Sequence, residues 1–519
     1  MPQSRRNFIK TVILSSGAVF VSWADVAKAS EQKKNAAVTT ASLHYEKAHS
    51  ILRDKGAYPN FPFKPSLETD TVVIGGGAAG IAAAWKAKAS GRDFLLLENE
   101  PVIGGVMHNP VPQWREISYP LGSTYFYRYN GAYKQMFNDF NIHPIETGED
   151  ALYITKTGYN NMASQDAIVV DWWNPTNISA LPFAQKDKDA FRKFRDFLLA
   201  MPVPIYPLRS AKPADIDAYD PISAAEYVSR FGSDVLTDTM DMYARSVLGA
   251  PLAEVNAYSL LNFYSLEFGG AYNIPCYTFP GGMGAVAEKA YTYFGKDKVV
   301  TNALALFMRN TKKGVIVNFL DTATGEPKSV QVRSAVVAMQ KKIAVHIVGD
   351  YPFDQKQAMS AMRYAPYITI ALCCNAPLFP VRAFDFWISD KQRRFTDLID
   401  VTSPSDTAAG KWSRMTGNFV YMLSSPRPET DRANLQDDKW LAKFAQDTAA
   451  ALAEHVPDAP EKIEEMHVFA WGHSMVIPAV GSYRKIFPYH ANALGAIRFA
   501  NADNDLAPGI ENAMEAGMG

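Results

Sequence analysis

Thr71-Val72-Val73-Ile74-Gly75-Gly76-Gly77-Ala78-Ala79-Gly80 opens the stretch that decides the fold, and Phe94-Leu95-Leu96-Leu97-Glu98 closes it. Thr71 to Ile74 reads as a short buried strand, Gly75 to Gly80 as a turn, and Ile81 to Ala89 as an alanine-rich helix stopped by Gly91. Phe94 to Leu97 is a second apolar strand ending at Glu98. Strand, turn, helix and strand make the opening unit of a doubly wound sheet. Within it, Gly75 permits the tight turn, Gly77 lets the backbone approach a pyrophosphate, and Gly80 lets helix and strand pack closely. The helix N–H groups at Ala78 and Ala79 and the positive end of the helix dipole suit phosphate. Glu98, 23 residues beyond Gly75, is placed to accept hydrogen bonds from ribose hydroxyls. The expected ligand is a dinucleotide.

Outward from this unit, the 519 residues allow two domains or one discontinuous pair around a large core. A composition of 48% hydrophobic and 20% charged residues is that of an ordinary globular chain. The net charge of −1 gives no polyanion-binding surface, so nucleic acid is not an expected partner. Three cysteines, Cys276, Cys373 and Cys374, are too few for a disulfide framework. Cys373 and Cys374 sit in an apolar run and are expected to face opposite sides of a strand. No metal-ligand spacing occurs.

Ser4-Arg5-Arg6-Asn7-Phe8-Ile9-Lys10, an apolar stretch from Thr11 to Trp23, and Ala27-Lys28-Ala29 read together as a twin-arginine export signal. A basic uncleaved anchor is the alternative. The twin-arginine (Tat) machinery carries folded proteins, which suits a cofactor loaded in the cytoplasm; the expected location is periplasmic or secreted. Ser30 to Pro65 reads as an extended lead-in. Residues from about 130 to 270 look helical, with Asp220-Pro221 opening one helix, Gly232 ending it, and Ser233 capping the next. Val299 to Val337 turns to short strands around Thr324-Gly325. Residues 360 to 425 mix strands and turns, and Trp440 to His455 is an amphipathic helix. The chain ends within a last helix, expected to be short unless the sequence is truncated.

Glu98 is followed by a glycine pair, Gly104-Gly105. With that pair the chain resembles the flavin amine oxidase and phytoene desaturase superfamily, whose members place such glycines against FAD phosphates. Phe279-Pro280-Gly281-Gly282-Met283-Gly284 is similar to the family segment that opens a helix beside the cofactor. Val300-Thr301-Asn302-Ala303-Leu304 resembles the strand whose backbone meets the adenine. Ile497-Arg498-Phe499-Ala500-Asn501-Ala502-Asp503 and Pro508-Gly509-Ile510-Glu511 resemble the closing motifs. The resemblance implies an α/β fold, with a discontinuous Rossmann-like FAD-binding domain and an interleaved α+β substrate domain. It adds Gly104, Gly105, Ala303, Asp503 and Ile510 to the cofactor contacts, and implies noncovalent FAD, since no cysteine lies near Trp471. The expected divisions are signal 1–29, lead-in 30–67, FAD-binding parts 68–130, 271–345 and 471–519, and substrate or cap regions 131–270 and 346–470.

The resemblance implies hydride transfer from an amine or amino acid to the flavin. Departures from the family pattern stand at Val106, where amine oxidases carry Arg, at Thr369, where many oxidases carry Lys, and at Gly509, where an aromatic often stands. They leave open a desaturase or dehydrogenase delivering electrons to a quinone or cytochrome acceptor, or a flavin-binding protein without turnover. No acid–base residue is assigned. Thr369, Trp471 and His473 are the candidates for the reacting end, with His108 and the aromatics Trp114, Tyr119, Tyr125, Phe126, Tyr127 and Tyr129 nearby in sequence.

Overall fold

The computed structural model describes residues 36–44, 46–53, 65, 67–127, 129–201, 212–267, 275–349, 351–403 and 416–519. The twin-arginine segment and most of the Pro- and aromatic-rich part of the lead-in lie outside them.

Two sheets organise the chain. The first has strand order Val299–Val300, Phe94–Leu97, Leu67–Ile74, Pro327–Val337, Gly314–Asp321, Ala303–Thr311, and Ile497–Phe499 also pairs Pro327–Val337. The strands around Leu67–Ile74 are parallel, and the 303–337 hairpins are antiparallel. Pro327–Val337 belongs to both patterns, because its second half pairs Ile497–Phe499 where the hairpin has ended. The hairpin strands are long, eight to eleven residues, where the sequence suggested short ones. Parallel strands buried on both faces need continuous apolar runs, which Val72 to Ile74 and Phe94 to Leu97 supply.

The expected helix begins three residues earlier, at Ala78 inside the expected turn, and runs to Ala89; the C-terminal helix Ile510–Met518 packs on it. A Cβ at Gly517 would fall 2.2 Å from the Ala79 carbonyl oxygen, so the two backbones meet where only glycine fits. This pairing sets the last turn of the C-terminal helix against the first turns of Ala78–Ala89.

The second sheet has order Ala37–Ser42, Ile463–Val476, Tyr364–Cys374, Phe419–Pro426, Asp397–Asp400, Asp385–Ile388, Ala151–Ile154, Ala167–Val170. Its far face carries Ile368, Ile370, Leu372, Leu398 and Leu423, packed on the helix Asp438–Ala453 through Leu441, Ala445 and Leu452. Cys373 and Cys374 belong to cores on opposite sides of this sheet, as their adjacency in a strand requires.

Four expectations need correction. Residues 130–270 are not all helical: Ala151–Ile154 and Ala167–Val170, two apolar runs too short for helices, complete the edge of the second sheet. Asp220-Pro221 does not open a helix. Asp220 ends Pro213–Tyr219, and the next helix, Ala224–Ser229, is capped by Ser223. The Asp220 carboxylate instead accepts from the Tyr483 and Arg484 backbone N–H groups, capping a helix over 260 residues away. Ser233 does cap Asp234–Leu248, and Gly249 closes that helix in the left-handed conformation. The lead-in also contributes structure: Ala37–Ser42 is a parallel edge strand of the second sheet. The expected boundary at residue 470 falls inside the strand Ile463–Val476.

Candidate cofactor and substrate site

A single cavity of about 630 Å³ runs from the carboxyl end of the first sheet to the near face of the second. Its size is that of a cofactor pocket.

At the first sheet, Gly75, Gly77, Ala78, Ala79, Leu97 and Glu98 line it. Gly75 adopts φ of 103°, and a Cβ there would sit 2.4 Å from the Ala338 carbonyl oxygen. The helix Ala78–Ala89 begins at Gly77 with no side-chain cap, so its first-turn N–H groups remain for a ligand. Gly105 also lines the cavity, and a Cβ on it would come 3.0 Å from the Gly77 Cα. The two glycines therefore make a cradle without side chains. Gly80 and Gly104 are not on the wall. A Cβ at Gly80 would fall 1.7 Å from the Gly75 carbonyl oxygen, and one at Gly104 would meet Asn109 at 3.1 Å; both shape the loop from behind.

Glu98 is buried. One carboxylate oxygen accepts from the Gly76 N–H at 2.6 Å and the other from the Glu100 N–H at 2.8 Å. Burial raises its carboxyl to about 7, against the lowering effect of these backbone donors. Ala303 donates its N–H to the Glu98 carbonyl and lines the cavity with Leu304 and Ala305. The lead-in closes this end. Leu43, His44, Ala48, His49, Leu52 and Arg53 form a wall, and His44 Nδ1 meets Glu100 at 2.9 Å, a hydrogen bond that raises the histidine.

At the C-terminal helix, Gly509, Ile510, Glu511 and Ala513 line the cavity, and that helix too starts without a side-chain cap. Two helix N-termini and one buried carboxylate thus face one space. Asp503 does not. Asn501 and Ala502 form the wall there, while the Asp503 carboxylate accepts from Tyr364 Oη at 2.6 Å and the Lys341 N–H at 2.9 Å, and pairs with Lys341 Nζ. Both side chains of that pair are fully buried. The turn at Ala502–Asp505 carries Asp503 into the protein, one residue past the wall. The Pro280-Gly281-Gly282 segment also stands back from this cavity. Its glycines let chain pass Val111 and Pro120, so it supports the Gly104–His108 loop from beneath.

The near face of the second sheet forms the floor at the other end. Strand register places Phe469, Thr369, Ser424 and Asp397 in one row, and Met422 and Ile399 in the next. Thr369, Ser424, Asp397, Met422 and Ile399 all line the cavity, with Tyr125, Tyr127, Ser246, Phe263 and Tyr367 around them. Thr369 Oγ1 and Trp471 Nε1 both donate to the Leu121 carbonyl, at 2.7 and 2.9 Å, and so pin the Leu121–Tyr125 segment over the floor. His473 lines the cavity; burial, with Arg432, His49 and Lys342 nearby, lowers it to about 4, so it is neutral near pH 7. His108 is outside the lining. It stacks edge-on against Phe469, and burial lowers it to about 4 as well. Trp114, Tyr119 and Phe126 are core residues, whereas Tyr125 and Tyr127 reach the cavity. The sequence reading missed Asp397, Ser246, Ser424, Phe263 and the lead-in wall.

A family model described as an NAD(P)-binding Rossmann-like domain matches residues 73–140. A thiamine thiazole synthase from Desulfosudis oleivorans is 40% identical over 52 residues, 10% of this chain. The match spans only 20% of that curated relative. Among solved structures, a triple mutant of putrescine oxidase from a redesign of cofactor binding superposes with a TM-score of 0.68 at 15% identity, covering 88% of this chain and 98% of that one. Cyclohexylamine oxidase from Brevibacterium oxydans gives 0.64 at 16% identity, over 87% and 97%. A CLA-producing fatty acid isomerase from P. acnes gives 0.59 at 12%, over 87% and 97%. At such identities the likeness is one of fold. The chain has a discontinuous Rossmann-like domain with an interleaved α+β domain, the architecture these amine oxidases and this isomerase share.

Proposed function

We propose that this chain is an exported, FAD-dependent oxidoreductase that oxidises an amine. The observation that carries the reading is the continuity of the cavity. A dinucleotide-binding end, with Glu98 and two uncapped helix N-termini, opens directly onto a chamber floored by Thr369 and walled by aromatic side chains. The donor set fits the adenosine and pyrophosphate of FAD: a buried carboxylate for ribose hydroxyls, exposed N–H groups for phosphate, and side-chain-free glycine beside them. Bound noncovalently there, FAD would supply a two-electron acceptor for the hydride on the amine's α-carbon.

The protein's own part is binding and exclusion. Glu98 would hold the ribose, and the N–H groups of Ala78 and Ala79 would hold the phosphates. The positive end of the Ile510–Met518 helix favours negative charge on the group beside it. Tyr125, Tyr127, Tyr367 and Phe263 narrow the chamber and displace water. His473, neutral near pH 7, adds no positive charge to repel an ammonium ion. The amine reacts as the free base; its nitrogen releases a proton to water, and water hydrolyses the imine outside the chamber. Anaerobic addition of a panel of amines and amino acids to the purified protein bleaches the bound flavin if this is right. A flavin that no member of the panel bleaches refutes it.

Thr369 favours a second reading, in which electrons pass to a quinone or cytochrome. Its hydroxyl is committed to the Leu121 carbonyl, and the lysine that lines the cavity, Lys342, comes from a helix and not from this strand. Reoxidation by an artificial acceptor much faster than by air supports this version; rapid reoxidation by air removes it.

A further inference from the structure

The chamber holds a charge-bearing group that oxidation of a simple amine does not use. Asp397 lines the cavity yet is 2% exposed. Its Oδ1 accepts from Ser246 Oγ at 2.7 Å and from Thr396 Oγ1 at 2.6 Å. Tyr367 Oη lies 3.2 Å from Ser246 Oγ, and since that serine spends its proton on Asp397, the tyrosine is the donor. The Ser424 hydroxyl also bonds to the Asp397 carboxyl. Ser246 and Thr396 donate directly to Asp397, and Tyr367 donates to Ser246 behind it. Burial and three hydroxyls act on this carboxyl, the Asp150 carboxyl interacts with it through charge, and among the described residues no cation is one of its partners.

A carboxylate held by hydroxyl donors and removed from water gains most from a cation that enters the same space. Burial drives the Asp397 carboxyl above its ordinary range, and a bound ammonium reverses that cost. The cavity that Asp397 lines offers such a cation a way in.

The sheet register fixes where the second charge lies. Thr369 pairs Ser424, and Ser424 pairs Asp397, so two strand spacings separate Thr369 from Asp397. At about 4.8 Å per strand this is ~9.6 Å, and an ammonium about 2.8 Å from the carboxylate leaves ~7 Å to a reacting carbon above Thr369. An extended chain rises ~1.2 Å per bond, so about five to six carbons span the gap.

We infer that Asp397 binds a second, non-reacting ammonium, and that the preferred substrates are α,ω-diamines of about five to six carbons. The inference rests on the amine-oxidising reading above and names the substrate class of the same site. Asp397 sets specificity by binding one end of the substrate while the other end reacts near Thr369.

The test compares 1,5-diaminopentane with n-pentylamine in anaerobic bleaching of the flavin-loaded protein. The wild type favours the diamine by about 10- to 100-fold in bleaching rate over dissociation constant, and Asp397→Asn brings the ratio close to one. Calorimetry with 2,6-dimethylheptane-2,6-diamine, which has five carbons between its nitrogens and no α-hydrogen, reads binding without turnover and is expected to favour it similarly over 2-methylheptan-2-amine. This arm needs only the wild type, so it decides the matter even where Asp397→Asn does not fold. Bleaching by monoamines with no diamine preference, or a preference that survives Asp397→Asn, overturns the inference and leaves amine oxidation standing. Absence of bleaching by any amine sinks the functional reading itself. Equal calorimetric affinity for the two inert amines overturns the inference independently of catalysis.

Discussion

Replacing Glu98 by Gln separates the two roles of that carboxyl, in stability and in cofactor binding. In the protein without cofactor, burial raises Glu98 from its ordinary 4.5 to about 7. A carboxyl whose folded pKa is raised contributes stability that is fully present below about 4.5 and is lost as the pH rises through 7. Each pH unit between the two values is worth about 1.4 kcal/mol, so about 3 kcal/mol is at stake, of which ~2.5 kcal/mol disappears between pH 5 and pH 8. Asp150, raised to about 7, and Asp400, raised to about 6, add slopes of the same sign. Those slopes cancel when wild type and Glu98→Gln are compared. Urea unfolding of both apoproteins at pH 5 and pH 8 therefore isolates Glu98. The wild type is expected to lose about 2.5 kcal/mol more than the variant over this range. Added FAD should shrink the difference, because ribose hydroxyls donating to the carboxylate pull its pKa down. The same substitution should weaken FAD binding by about 10- to 100-fold, the worth of hydrogen bonds to a charged acceptor. Stability curves that run parallel in the two proteins would refute the electrostatic picture of this end of the cavity.

Three further outcomes follow from the packing. Gly80→Val forces a Cβ against the Gly75 carbonyl and should cost about 3 kcal/mol, with low flavin content in purified protein and a lowered Tm. Lys341→Met strands the buried Asp503 carboxylate and should cost about 3–5 kcal/mol in urea unfolding, while Lys341→Met combined with Asp503→Leu should recover most of it. His44 is held to Glu100 with a raised pKa, so this contact is fully present below about 6.5 and is lost as the pH rises through the folded value. Flavin release should accelerate from pH 6 to pH 8.5 in the wild type, and His44→Gln should remove that component of the pH dependence.

The dinucleotide end was legible in the sequence because its chemistry is local. Gly75, Gly77, Ala78, Ala79 and Glu98 belong to one strand–helix–strand unit, and their spacing alone brings them together. Asp503 went astray for an equally local reason. A one-residue change of register in the Ala502–Asp505 turn decides whether a side chain meets the cavity or the interior, and spacing does not resolve one residue. Asp220-Pro221 carries a genuine capping residue, but the helix that it caps begins at Ser482, which no local pattern reveals. Asp397, Ser424 and Thr369 meet only through strand pairings between segments 27 and 55 residues apart. In sequence, Asp397 is simply an acid within an apolar run. The lead-in wall gives no signal, because His44 and Leu52 reach the cavity through their docking on distant residues.

A crystal structure of the protein with FAD bound tests the central claim most directly. The expected result places the adenosine ribose on Glu98, the pyrophosphate at the Gly77–Ala79 helix start, and the isoalloxazine ring between Ile510 and Thr369, with the chamber of Asp397 open beyond it. A ring lodged at the lead-in end, away from Thr369, or a dinucleotide that leaves Glu98 without a ribose partner, contradicts it.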